Sequence, residues 1–86
     1  MYLHLGGSVV VLQEAVIAVF DLDNTSASPR TRHFLKTAER EGRVTNVAED
    51  IPKSFVLCRE RDGSRVYLSG LTSVTLLKRA ESTQYE

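Results

Sequence analysis

Val16-Ile17-Ala18-Val19-Phe20-Asp21-Leu22-Asp23-Asn24-Thr25 is an apolar run that ends in short polar side chains. Its β-branched and aromatic residues read as a strand over Ala15 to Phe20, and Asp23 to Ser28 reads as the loop that closes it. Upstream, Leu3 to Leu5 and Val9 to Leu12 are two short strands around the tight turn Gly6-Gly7, with Gln13-Glu14 as a spacer. Downstream, Ser28-Pro29 has the form of a helix start, with Ser28 accepting the first amide hydrogen bonds. The helix is predicted to run to about Glu41, where Gly42 supplies the stop. Thr31, Phe34, Leu35 and Ala38 form its buried stripe. Val44 to Ala48 reads as a brief strand. Ser54 to Arg59 and Arg65 to Ser69 flank Asp62-Gly63, a strong hairpin signal. Thr72 to Ala80 fits a short helix or a strand, with helix favoured, and residues 81–86 read as a flexible tail. The expectation is a small α+β domain over residues 1–80: one antiparallel sheet of hairpin-connected strands, a central amphipathic helix and a short C-terminal helix.

Composition narrows the function classes. The chain has 86 residues, with eleven basic and eleven acidic side chains, so no overall field steers it toward a polyanion. Any such site has to come from local clustering. One cysteine, Cys58, excludes an internal disulfide, which fits a reducing cytosol. Its apolar surroundings predict packing as a small hydrophobe. The first residues lack a signal-peptide pattern, and no apolar run approaches the ~20 residues of a membrane helix. The expected location is therefore cytoplasmic, with no membrane partner. His4 and His33 are isolated, so no metal site or cofactor is predicted, and His4 reads as a strand residue with a satisfied ring.

The runs Val9 to Leu12, Ala15 to Phe20 and Phe55 to Cys58 are nearly continuous rather than alternating, which implies burial on both faces of a sheet. One helix with an apolar stripe ~100° wide covers roughly one face. A second copy of the chain is the expected cover, since most soluble assemblies are symmetric homo-oligomers. The alternative is that the C-terminal segment and loops suffice.

Asp21-Leu22-Asp23-Asn24-Thr25 also resembles the motif of aspartate-nucleophile phosphatases of the haloacid dehalogenase type. There, one carboxylate attacks phosphorus and the next but one protonates the leaving oxygen. Such chemistry also needs further oxygen ligands for Mg²⁺ and a cation for the phosphate. Later in the chain only Asp50 and Asp62 remain as aspartates, neither in an acidic cluster. Closely spaced strands predict antiparallel pairs, whereas that family looks like a doubly wound parallel sheet. The chain is expected not to be an enzyme, with the phosphatase a remote alternative.

A second resemblance spans nearly the whole chain. Met1-Tyr2-Leu3-His4-Leu5-Gly6-Gly7, Val9-Val10-Val11, Ala38-Glu39-Arg40-Glu41-Gly42-Arg43-Val44, Pro52-Lys53-Ser54, Val66-Tyr67-Leu68-Ser69 and Leu76-Leu77-Lys78-Arg79-Ala80 occur in order. This series resembles the bacterial extracellular-matrix regulator family, RemA and RemB, and is closer to the RemB branch. The resemblance implies a cytoplasmic protein of a Firmicute-type bacterium. For the RemA branch it implies a ring-shaped homo-oligomer that binds DNA through arginines and activates matrix and biofilm genes. The chain departs from the RemA pattern at the arginine pair before the strand at Ser54, where Ile51-Pro52-Lys53 stands. It departs again at Gln13-Glu14-Ala15, where no base is present. Lys53 is the one basic residue near the paired site, and it lacks arginine's planar fork.

Other cations are available to replace those arginines. Arg32, Lys36, Arg40 and Arg43 recur at helical spacing within about 80° of arc, opposite the Phe34/Ala38 stripe. Together with Lys53 they are the predicted DNA-binding residues. The rival expectation is a structural or interaction subunit that assembles with itself or a paralogue and does not touch DNA.

Overall fold

A computed structural model describes residues 1–22 and 28–83. Strand β1 (Tyr2–Gly6) turns at Gly7-Ser8 into β2 (Val9–Leu12), and a 3-10 turn (Gln13–Ala15) leads to β3 (Val16–Asp21). Helix α1 (Pro29–Arg40), β4 (Val44–Asn46), β5 (Ser54–Glu60), β6 (Gly63–Ser69) and α2 (Ser73–Thr83) follow. The α+β class stands, but the single antiparallel sheet does not. β1 and β2 form a separate two-stranded sheet, and β3-β5-β6-β4 form a mixed one. β3, β5 and β6 pair antiparallel, whereas β4 lies parallel to β6 with Val44 opposite Val66. The parallel pair is joined through residues 47–53 and β5, which runs antiparallel to β6 and so returns the chain, the crossover that parallel strands require.

Local chemistry sets the boundaries. Ser28 has extended dihedrals and its carbonyl accepts from the Arg32 N–H at 3.0 Å, yet its side chain makes no capping bond, contrary to expectation. Pro29 supplies the preset first helical residue. At the other end Gly42 has φ 73°, its N–H donates to Glu39 and the Arg43 N–H donates to Ala38. That pair of bonds is a Schellman ending, which needs a residue at positive φ and favours glycine there. The β5–β6 hairpin turns at Arg61-Asp62, with Gly63 already paired to Glu60. The turn therefore sits one residue earlier than Asp62-Gly63. Helix α2 is capped by Thr72, whose Oγ1 accepts from the Thr75 N–H at 3.2 Å. It continues past Ala80 to Thr83, so residues 81–83 belong to the helix rather than to a tail. Residues 84–86 lie outside the described residues.

The mixed sheet is covered on both faces by the chain itself. On one side Phe34, Leu35 and Ala38 of α1 pack with Phe20, Phe55, Leu57, Val66 and Leu68. On the other, Leu3, Leu5 and Val11 of the hairpin and Leu76 of α2 pack with Val16, Val19, Val56, Cys58 and Tyr67. Alternate residues of β5 thus enter two different cores, which explains its continuous apolar run. A second copy is not required for this cover: the N-terminal hairpin and C-terminal helix supply it. Apolar groups remain on the outside instead. Tyr2 stands opposite Leu12 and His4 opposite Val10 on the outer face of the hairpin, with Tyr2 62% and Val10 51% exposed.

Candidate nucleic-acid interface

The outer face of α1 carries the basic residues. Arg32, Lys36 and Arg40 are exposed and follow one another at one-turn spacing, opposite the stripe that packs on the sheet. Neighbours at that spacing lie ~5–6 Å apart, a pitch suited to successive phosphates. Lys36 and Arg40 have no ion-pair partner among the described residues. Pro29, Arg32, His33 and Lys36 line a shallow groove of about 260 Å³ on this face.

Arg43 does not belong to the row. Because Gly42 turns the backbone out of the helix, Arg43 leaves the helical spiral and leads into β4. Its guanidinium pairs with the Glu41 carboxylate at 2.6 Å and donates to the Ser64 hydroxyl at 3.0 Å. These bonds occupy its fork, so the predicted four-residue stripe becomes three. Arg65 is likewise committed, to Glu60 at 3.0 Å and to the Thr45 hydroxyl at 3.1 Å.

Lys53 lies elsewhere again. It precedes β5, where its N–H donates to Ser69 and its carbonyl accepts from Leu22. Its side chain lines a cleft of about 410 Å³ together with Glu49, Asp50 and Ile51, beside the Gly6-Gly7 turn. Two carboxylates share that cleft with one ammonium, so its local charge opposes a polyanion. Ile51 beside it is 75% exposed. The structure does not bring Lys53 into the groove formed by Arg32 and Lys36.

His33 is the residue that sequence reading passed over. Read as isolated, it shares the exposed groove with Arg32 and Lys36. The same 100° arithmetic applied to the cations places it there. His4 matches its expectation, with Nε2 2.7 Å from the Gly7 carbonyl. Cys58 is also as expected: it is buried in the core, and desolvation, then the Glu60 carboxylate, pushes its thiol up to about 11. Burial and the same carboxylate raise the Tyr67 phenol as well. Asp21 is half-buried at the end of β3 opposite Ser54. Asp23 and Thr25, the remainder of the phosphatase-like motif, lie outside the described residues. No helix of the described residues is long and apolar enough to cross a membrane. No protein-family model matches the chain, and no curated protein matches it in sequence.

Proposed function

We propose that this chain is an oligomeric bacterial regulatory protein of the extracellular-matrix regulator type, cytoplasmic, binding double-stranded DNA through the outer face of α1. The observation that carries the reading is the row Arg32, Lys36 and Arg40, a local cation cluster in a chain whose net charge is zero. The ordered resemblance to RemA and RemB supports the regulatory role. Such a row contacts phosphates rather than base edges, so it positions the duplex and gives affinity without sequence preference by itself. Each neutralised phosphate steepens the log–log salt dependence of binding by about 0.9, so three contacts give a slope near −2.7 per engaged subunit. In a ring-like assembly these contacts multiply.

An electrophoretic mobility shift with duplex DNA at several salt concentrations tests this. The wild-type chain is expected to retard DNA at low salt. Lys36→Glu should weaken binding across all sequences and flatten the slope by about one to two units. Lys53→Glu is expected to have little effect, because its cleft is already acidic. Absence of retardation at micromolar protein defeats the DNA reading. It then favours the second reading, a subunit that assembles with itself or a paralogue. The exposed Tyr2, Val10 and Leu12 on the hairpin and Val74 and Leu77 on α2 support that alternative.

A further inference from the structure

We infer that His33 is a fourth phosphate-contacting residue on the α1 face and makes DNA binding proton-linked, an inference that rests on the DNA reading above. His33 is exposed and lines one groove with Pro29, Arg32 and Lys36. Successive positions on the spiral put Arg32, Lys36, Arg40 and His33 within about 100° of arc. A duplex laid along the three cations therefore lies against the imidazole.

Among the described residues that line the groove, the charges are one-sided. Arg32 is adjacent, and Arg30 and Lys36 stand three residues to either side, the spacing at which helix side chains meet. The only carboxylate within α1, Glu39, is six residues on and about 120° around the helix. Every other residue lining the groove belongs to α1 as well, and none of them is an acid. Among the described residues, no carboxylate therefore lines the groove beside the imidazole. A phosphate supplies that missing anion, and an anion beside a histidine favours its protonated form. Histidine is the side chain that ordinarily changes charge between about pH 5 and 8. Binding of DNA thus takes up a proton at His33, and by linkage a lower pH tightens binding.

A tenfold preference of the bound phosphate for the imidazolium makes binding close to tenfold tighter per engaged subunit at about pH 5.5 than at about pH 8.5. The salt slope steepens in parallel by about 0.9 per subunit, because a protonated His33 displaces one more counterion. At alkaline pH the face reverts to its three permanent cations.

The experiment is a fluorescence-anisotropy titration of a labelled duplex of about 30 base pairs with the full-length chain. Wild type, His33→Gln, His33→Lys and His4→Gln are compared at about pH 5.5, 7 and 8.5. The expected result is tighter binding toward acid in wild type and in His4→Gln. His33→Gln should bind weakly with a much flatter profile, and His33→Lys tightly at every pH. His33 is exposed, so these variants should keep the wild-type fold, checked by circular dichroism. If His33→Gln binds DNA with the wild-type pH profile, the inference about His33 is overturned while DNA binding stands. If no variant binds DNA at any pH, both the inference and the DNA reading are overturned.

Discussion

Ser69→Ala should cost this small protein a large share of its stability. Ser69 is fully buried at the end of β6, and its hydroxyl makes two bonds. It donates to the Leu5 carbonyl at 2.7 Å and accepts the Leu71 N–H at 3.1 Å. Leu5 falls where the β1–β2 register shifts, so it has no cross-strand partner in that ladder. Its carbonyl accepts from a side chain 64 residues away. Alanine removes both bonds and provides no room for a replacement water. A buried polar group left unpaired costs about 1–3 kcal/mol. Leu71 is only half-buried and should recover part of its loss from solvent, which sets the total at about 2–4 kcal/mol. Against a stability of roughly 4–13 kcal/mol for a chain of this size, that is at least about a sixth and, at the low end of the range, all of it. The corresponding drop in Tm is about 10–25 °C. Urea unfolding at one fixed protein concentration measures it, with an unchanged m-value showing that both variants unfold from the same compact state. Ser54→Ala provides the internal comparison. Its hydroxyl makes one bond, to the Leu71 carbonyl at 2.7 Å, and should cost about 1–2 kcal/mol. Because both serines hold Leu71, the double variant should lose less than the sum. A loss below about 0.5 kcal/mol for Ser69→Ala would refute the reasoning.

Two further predictions concern the helix ending and the thiol. Gly42→Ala meets no steric obstacle but forces a side chain onto φ 73°, so it should cost about 1–2 kcal/mol in the same urea assay. Gly7→Ala gives a comparison at φ 54° in an exposed turn. For Cys58, burial raises the thiol from 9.0 to about 11. Between those values the folded chain keeps a proton that the unfolded chain has lost. The stabilisation is therefore complete below about pH 9 and disappears as pH climbs toward 11. Cys58→Ala should flatten that decline, leaving the part due to Tyr67. In the folded state at about pH 8 a thiol reagent should leave Cys58 unmodified, with full reaction in urea.

The features legible in sequence were those fixed by a few adjacent residues. Gly42 announced the end of α1 because a left-handed residue admits few alternatives, and the β5–β6 hairpin was visible to within one residue. Helix α2 was ambiguous by hydrophobic pattern alone. The deciding local signal was Thr72, a capping residue three before Thr75, which the apolar count overlooks. β4 was harder: its three residues carry almost no pattern. Its parallel direction follows from β5, which returns the chain before β6, and at its start the Val66 N–H donates to the Arg43 carbonyl at 2.8 Å. The error over Arg43 has the same origin. Helical spacing holds only as far as Gly42, the residue that ends α1. Lys53 was named for its place in a pattern, and the carboxylates beside it come from a fold-back that spacing does not show.

The continuous apolar runs predict cover for both faces of the sheet, and the chain supplies that cover itself. β5 is buried on both faces by the chain's own two layers, α1 on one side and the hairpin with α2 on the other. Buried strands therefore no longer carry the case for assembly. What carries it is the outer surface of the second layer. In a hairpin whose inner face supplies Leu3, Leu5 and Val11 to the core, alternation predicts polar residues on the outer face. Tyr2, Val10 and Leu12 stand there instead. Val74 and Leu77 are exposed on α2, the helix packed against β1. Substitutions should separate the two cases. Val10→Lys and Leu12→Lys touch only the outer face, so they should leave urea stability of a monomer within about 0.5 kcal/mol. If copies associate through that face, the same substitutions should reduce the mass measured by light scattering. An unchanged mass would remove the hairpin's outer face from any assembly, leaving the exposed Val74 and Leu77 of α2 to be tested in the same way.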